Sequence, residues 1–216
     1  MTFISDSNAA PSEARPSARA KWAWWTIVAA WLIVVIGGMF GVIRYSNTSS
    51  AVDVAPPEWP AASHLSRSPH QPTLVMFAHP HCPCTRASIA ELSKLAARLP
   101  DKLAVHVLFM RPSGVDERWQ ETDLLRRARE IRGVVTQIDD DGSEALLFHA
   151  NTSGETLLYG KDGRLLFHGG LTPSRGHEGD NLGLTRVVSL VTTGASDKPE
   201  SAVYGCSLLD AGPGAP

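Results

Sequence analysis

Two cysteines separated by one proline, Cys82-Pro83-Cys84, are the residues of this chain best suited to chemistry. The thiolate is the reactive form of cysteine, and the N-terminus of a helix stabilises its charge. Because proline is favoured at the first helical position, Pro83 predicts that Cys82 is a helix N-cap with a lowered pKa. Cys84 would follow in the first turn, close enough to resolve a mixed disulfide. The motif therefore predicts thiol–disulfide exchange.

The single intervening residue makes the ring of a Cys82–Cys84 disulfide tighter than the ring formed across two residues. Departures from preferred disulfide geometry store strain and make the bond easier to reduce. Such a pair is expected to act as an oxidant or isomerase rather than as a strong reductant. The opposing interpretation, two buried and inert cysteines, suits a polar, proline-rich loop poorly.

His79 and His81 precede the cysteine pair, and strand alternation places them on the same side. Thiolates and imidazoles are ligands of copper(I) and zinc, so these residues also allow a soft-metal site with Cys82 and Cys84. The simpler interpretation is that the histidines only modulate the pKa of the thiols. Thiol exchange without a cofactor and copper(I) carriage therefore stand as alternative hypotheses.

Two later segments carry further reactive groups. A loop contains Arg175, His177 and Glu178, which would serve as acid–base or docking groups, or would only precede the last helix as a solvated loop. Cys206 lies in a glycine-rich tail, and a flexible tail can bring a third thiol to a disulfide by exchange. A bond to another chain and an idle free cysteine are the alternatives.

Periodicity predicts the elements that position these groups. A short apolar run ends just before the histidines, and an amphipathic helical pattern follows the cysteines up to Pro100. Strand and helix patterns then alternate until Lys161-Asp162-Gly163, which predicts the turn of a hairpin. Alternation followed by an antiparallel hairpin predicts an α/β fold, a mixed sheet flanked by helices on both faces. The predicted segments are strands at 73–78, 103–110, 134–138, 156–159 and 164–168, and helices after Cys82 and at 122–132, 143–149 and 182–191.

One N-terminal transmembrane helix is predicted to precede this domain. Residues 22–43 carry no formal charge and would span about 33 Å as a helix, enough for a bilayer core. Basic residues are concentrated before the span, so the positive-inside rule places the N-terminus in the cytoplasm and the domain in the periplasm. A cleaved signal peptide is the alternative, although its apolar region is usually shorter. Gly37 and Gly41 have the spacing of a helix-dimer contact.

Composition limits the remaining classes of function. The chain has 216 residues and a formal net charge of -2, which argues against a nucleic-acid partner. Three cysteines exclude a scaffold held by several disulfides. The predicted organisation is a cytoplasmic segment at 1–21, the anchor at 22–43, a linker at 46–72, the domain at 73–194 and a tail with Cys206 at 195–216.

The segment from Leu74 to Leu99 resembles the active-site strand and helix of the thioredoxin superfamily, because Phe77 precedes the first cysteine by five residues. Thr156 to Arg164 is similar to the central hairpin of that family. More closely, three stretches resemble the RedB-like group of membrane-anchored bacterial thioredoxin-like proteins. These stretches are Leu74 to Ser88, Ser174 to Asn181, and Tyr204 to Cys206.

The resemblance implies a thioredoxin-like fold and a periplasmic thiol–disulfide oxidoreductase, anchored in the bacterial inner membrane, whose partners are protein thiols or disulfides. The chain departs from the family in having one residue between its cysteines, and no proline near Gly154, where thioredoxins place a cis-proline. Copper-delivering relatives of the fold carry a histidine in about that place. His149 is the nearest candidate, so the resemblance adds it to the metal alternative.

Overall fold

The computed structural model describes residues 18–116 and 118–208. It divides the chain into two compact units, Met1–Arg44 and Tyr45–Pro216. Helix α1, Ala18–Asn47, contains a stretch from Lys21 that is long and apolar enough to cross a membrane. Its large apolar side chains are exposed, unlike those of a core helix. Most of the predicted cytoplasmic segment, 1–21, lies outside the described residues.

The second unit contains a five-stranded mixed sheet with the strand order β3-β2-β1-β4-β5. The first three strands are parallel, β4 is antiparallel to β1, and β5 is antiparallel to β4. This topology confirms the predicted thioredoxin-like arrangement of a parallel part followed by a hairpin. The strands are β1 Thr73–Ala78, β2 Ala104–Arg111, β3 Val134–Asp140, β4 Glu155–Tyr159 and β5 Leu165–Gly170. The helices are α2 Thr85–Arg98, α3 Asp123–Arg129, α4 Ser143–Leu147 and α5 Leu182–Thr193.

Strand β1 lies at the centre of the sheet, and all six of its residues are buried. Because successive side chains of a strand point to opposite faces, β1 contributes to two separate cores. Leu74 and Met76 belong to the core that includes α2, α3 and α5. Val75 and Phe77 belong to the core that includes Ala145 of α4. Helices therefore cover both faces, as the sequence predicts, and β1 is held rigidly up to the residue before the histidines.

The helix predicted at 122–132 is shorter in the structure, α3 alone. Thr122 is its N-cap, and its hydroxyl accepts a hydrogen bond from the backbone N–H of Leu125. After Arg129, backbone bonds from Ile131 to Ala128 and from Val134 to Ile131 form tight turns instead of the helical ladder. These turns lead directly into β3.

The segment predicted as a linker, 46–72, packs on the second core. Ala55 and Leu65 are buried there. The ring of Trp59 meets those of Phe148 and Tyr159 edge-on, at centroid distances of 5.1 and 5.2 Å. The segment is thus part of the folded unit, and it extends the apolar core under the hairpin.

We expect Trp59→Ala to lower the free energy of unfolding by about 2 kcal/mol, because it removes two aromatic contacts and a partly buried ring. Urea unfolding followed by far-UV circular dichroism measures the change. Trp25→Ala, a change of the same type in an exposed side chain of α1, should leave the unfolding of the second unit unchanged. Equal effects of the two substitutions would contradict the packing role of Trp59.

Candidate functional site

The cysteine pair lies in a tight turn between β1 and α2. The backbone N–H of Thr85 bonds to the carbonyl of Cys82 at 3.1 Å, and that of Ala87 bonds to the carbonyl of Cys84 at 3.2 Å. The helix begins at Thr85, and its N-cap is Cys84, in right-handed helical conformation. The prediction that Cys82 is the N-cap is therefore wrong. Physically, a tight turn across Pro83 comes before the helical ladder and sets the ladder two residues later.

Three thiols meet at this turn. The Sγ atoms of Cys82 and Cys206 lie 2.7 Å apart, although 124 positions separate them in the chain. Cys82 is only 2% exposed, whereas Cys84 and Cys206 are partly exposed. The structure thus brings together both cysteines of the motif and the third thiol of the tail.

The hydrogen bonds of this cluster separate the pKa values of its thiols. Bonds from Cys206, first, and from Cys84 lower the pKa of Cys82 well below its ordinary value, against the effect of burial. The pKa of Cys206 is raised because its proton is held in the bond to Cys82. The pKa of Cys84 is also raised: its bond to Cys206 lowers it, but the bond to Cys82 and burial outweigh that effect. Cys82 is therefore the thiolate of the cluster.

The loop before β4 forms the wall facing the cysteines. The Ser153 hydroxyl accepts a hydrogen bond from the backbone N–H of His79 at 2.8 Å and bonds to the Thr85 hydroxyl at 2.6 Å. The N–H of Gly154 bonds to the carbonyl of Phe77, which fixes the loop to the end of β1. Sequence reasoning missed Ser153 and Thr85, because nothing in the local pattern of either indicates that they meet.

Glu155, the first residue of β4, holds the loop from behind. This side chain is fully buried, and its Oε2 accepts hydrogen bonds from the backbone N–H groups of Asn151 and Thr152 at 3.0 and 3.1 Å. Its Oε1 bonds to Nε2 of His168 at 2.6 Å. Gly154, in left-handed conformation, stands near the place where thioredoxins have a cis-proline, and no peptide bond within the described ranges is cis.

The two histidines form a cluster with Trp119. The backbone N–H of His81 donates to Nδ1 of His79, and Nε2 of His81 bonds to the carbonyl of Trp119 at 2.9 Å. The Trp119 ring lies 5.4 Å from the His79 ring and 4.6 Å from the His81 ring. Burial lowers the pKa of His79, so this imidazole is neutral beside the Cys82 thiolate. The sequence carries no signal for Trp119, which arrives from the loop after β2.

The residues of the metal alternative are not gathered into one ligand group. His149 is exposed and bonds through Nδ1 to the carbonyl of Val54 at 2.8 Å. His79 and His81 face each other and Trp119. Within residues 18–116 and 118–208, no group of three or more His, Cys, Asp or Glu side chains is arranged to hold a metal ion.

The three modulators predicted in the late loop have different surroundings. Arg175 donates to the carbonyl of Gly205, next to Cys206, and its positive charge acts to lower the pKa of Cys84. His177 bonds only locally, to the carbonyl of Arg175. Glu178 pairs with Lys94 on α2. Of the three, Arg175 is the one whose charge reaches the thiols.

No protein-family model matches the chain, and no curated protein matches it. Among solved structures, a hypothetical protein from Sinorhizobium meliloti is similar at a TM-score of 0.55 and 20% identity, over 74% of this chain and 96% of the other. An uncharacterised conserved protein from Geobacillus kaustophilus gives 0.53 and 19%, over 79% and 96%. A secreted disulfide oxidoreductase from Mycobacterium tuberculosis gives 0.41 and 16%, over 56% and 81%. The first two likenesses show a shared fold.

Proposed function

We propose that this chain, which has a thioredoxin-like fold, is a thiol–disulfide oxidoreductase with Cys82 as its attacking thiol. The observation that carries the proposal is the cluster in which the Cys82 sulfur accepts hydrogen bonds from neighbouring thiols. A thiolate at neutral pH is what nucleophilic attack on a disulfide requires. Cys84 supplies the second thiol of the exchange pair.

The reaction balances with the residues present. The Cys82 thiolate attacks one sulfur of a protein disulfide, that disulfide breaks, and one substrate thiolate leaves. Cys84, as its thiolate, then attacks the Cys82 sulfur, which releases the second substrate thiol and leaves a Cys82–Cys84 disulfide. The protein is oxidised by two electrons and the substrate is reduced by two. Run in reverse, the same steps oxidise a substrate dithiol.

The proposal places this centre outside the cytoplasm, attached to the bacterial inner membrane by α1. The helix has the length and apolar composition for a single span, and Arg19 and Lys21 stand at its N-terminal end. Basic residues on that side favour a cytoplasmic N-terminus and a periplasmic domain, where disulfides persist. A membrane-impermeant maleimide that labels the cysteines in intact spheroplasts supports this orientation, and labelling only after lysis contradicts it.

The test of the activity uses the full-length protein in detergent, freed of metal by a chelator that is then removed. Reduced protein should reduce the disulfide of a model protein, with loss of two thiols for each disulfide broken. Metal-free protein that is fully active contradicts the copper(I) carrier hypothesis. Protein that exchanges no disulfide but titrates about one equivalent of copper(I) would support the carrier and overturn the oxidoreductase.

The pH dependence of alkylation tests the hydrogen bonds to Cys82. Because its pKa is lowered, the thiolate fraction of Cys82 should stay high as pH falls below about 8.5, the ordinary cysteine pKa. Its alkylation by iodoacetamide, resolved by peptide mass spectrometry, should slow only below the lowered pKa. Cys206→Ala removes the main donor and should move the midpoint to higher pH. Unchanged midpoints near 8.5 in both proteins would contradict the role of the cluster.

A further inference from the structure

The C-terminal segment Gly205–Leu208 is seated along the loop that faces the cysteines. The backbone N–H of Ser153 donates to the carbonyl of Cys206 at 2.8 Å, and that of Leu208 donates to the carbonyl of Asn151 at 2.8 Å. Between these bonds, Thr152 and Ser207 form an antiparallel bridge. The segment is therefore paired as an added strand, and the side chain of Leu208 is fully buried.

The fit of this segment leaves no room at Gly205. A Cβ atom there would lie 1.9 Å from the carbonyl oxygen of Ser153. From the other side, the Arg175 guanidinium donates to the Gly205 carbonyl at 2.5 Å and to the Ser50 hydroxyl at 3.1 Å. The segment is thus held on both sides by contacts immediately before Cys206, which fixes the position of the thiol.

The seated segment also accounts for the burial of the attacking thiol. Cys82 is 2% exposed, and its sulfur is in contact with that of Cys206. A disulfide of another protein must reach the Cys82 sulfur to react, so the tail occupies the approach that a substrate would use. This argument rests on the proposed function of Cys82.

From this geometry we infer that Cys206 is the third member of the exchange centre, and that the tail is a built-in substrate that takes the disulfide from Cys84. The Cys206 thiolate attacks the Cys82 sulfur of the Cys82–Cys84 disulfide. The Cys82–Cys206 bond forms, the Cys82–Cys84 bond breaks, and Cys84 leaves as a thiolate that takes up the proton released by Cys206. No electrons are gained or lost, so this step needs no external oxidant.

Two physical reasons favour the relocated bond. A disulfide across one residue departs from preferred geometry, so the Cys82–Cys84 bond is the strained member of the exchange. The backbone pairing already holds Cys206 against Cys82, so a high effective concentration of the attacking thiol is present before the bond forms. The oxidised resting protein then carries its tail covalently closed over Cys82, with Cys84 as the free thiol.

Disulfide mapping of the full-length protein tests the inference. Reduced protein is oxidised with oxidised glutathione, free thiols are blocked with iodoacetamide at low pH, and the peptides are identified without reduction. A Cys82–Cys206 bond with alkylated Cys84 supports the inference. A Cys82–Cys84 bond with alkylated Cys206 overturns it while leaving the proposed function intact. Protein that forms neither bond contradicts the proposed function as well.

Three variants complete the test. Cys84→Ser should still form the Cys82–Cys206 bond, and its absence would overturn the inference. Gly205→Ala keeps all three cysteines but unseats the tail, so the ratio of Cys82–Cys206 to Cys82–Cys84 should fall by about tenfold or more. Gly38→Ala, where a Cβ meets no atom within 4 Å, is the matched control and should map like the unaltered protein. An unchanged ratio in Gly205→Ala would contradict the role of the seated tail.

Discussion

Cys82→Ser is expected to lower the rate of disulfide exchange with a model protein by at least about a hundredfold, because it removes the attacking atom. The serine hydroxyl stays protonated at neutral pH and cannot form a mixed disulfide. The fold should be retained, since the change replaces one sulfur by oxygen in a side chain that packs beside the Thr85 turn. Initial rates of model-disulfide reduction, with thermal unfolding as the check on folding, measure the effect.

The control for this prediction is Cys84→Ser, one turn position later. We expect a smaller loss, about tenfold, because Cys206 remains in contact with the Cys82 sulfur and can resolve the mixed disulfide. If Cys82→Ser kept the activity of the unaltered protein while Cys84→Ser lost it, the assignment of Cys82 as the attacking thiol would be wrong. Equal and complete losses would instead leave Cys84 as the sole resolving thiol.

The fold could be predicted from the sequence largely because its signals are local. The apolar run of β1 and the turn Lys161-Asp162-Gly163 each carry their own pattern, and Gly163 has the positive φ that such a turn requires. Alternation of strands and helices then restricts the topology to a mixed sheet covered on both faces. The start of α2 was predicted two residues early because Pro83 suits a tight turn as well as a first helical position.

The site could be predicted only in part, because its remaining members come from distant segments. Cys206 reaches Cys82 through backbone pairing of the tail, and backbone hydrogen bonds leave no mark on residue type. Gly205 is an exception, since a close approach of two backbones requires glycine, but a glycine in a tail rich in small residues does not stand out. Trp119 and Ser153 join the site through loops with no periodic pattern.

Glu155→Ala is expected to lower the free energy of unfolding by about 3 kcal/mol or more. The substitution leaves the N–H groups of Asn151 and Thr152 without their acceptor in a fully buried site, and removes the partner of His168. Each buried donor left unsatisfied costs about 1–3 kcal/mol, and loss of one member of a buried pair adds to this. Urea unfolding of the full-length protein, followed by far-UV circular dichroism, measures the change.

Two further variants separate this effect from a simple loss of charge. Glu155→Gln keeps one carbonyl oxygen for the two N–H groups, so its loss should stay under about half of that of Glu155→Ala. Glu178→Ala removes a half-exposed carboxylate paired with Lys94, and the change should lie within about 0.5 kcal/mol. The same loop carries the backbone bond from Ser153 to Cys206, so Glu155→Ala should also reduce the Cys82–Cys206 disulfide on mapping. A Glu155→Ala protein as stable as the unaltered one would show that the loop holds its position without this carboxyl group.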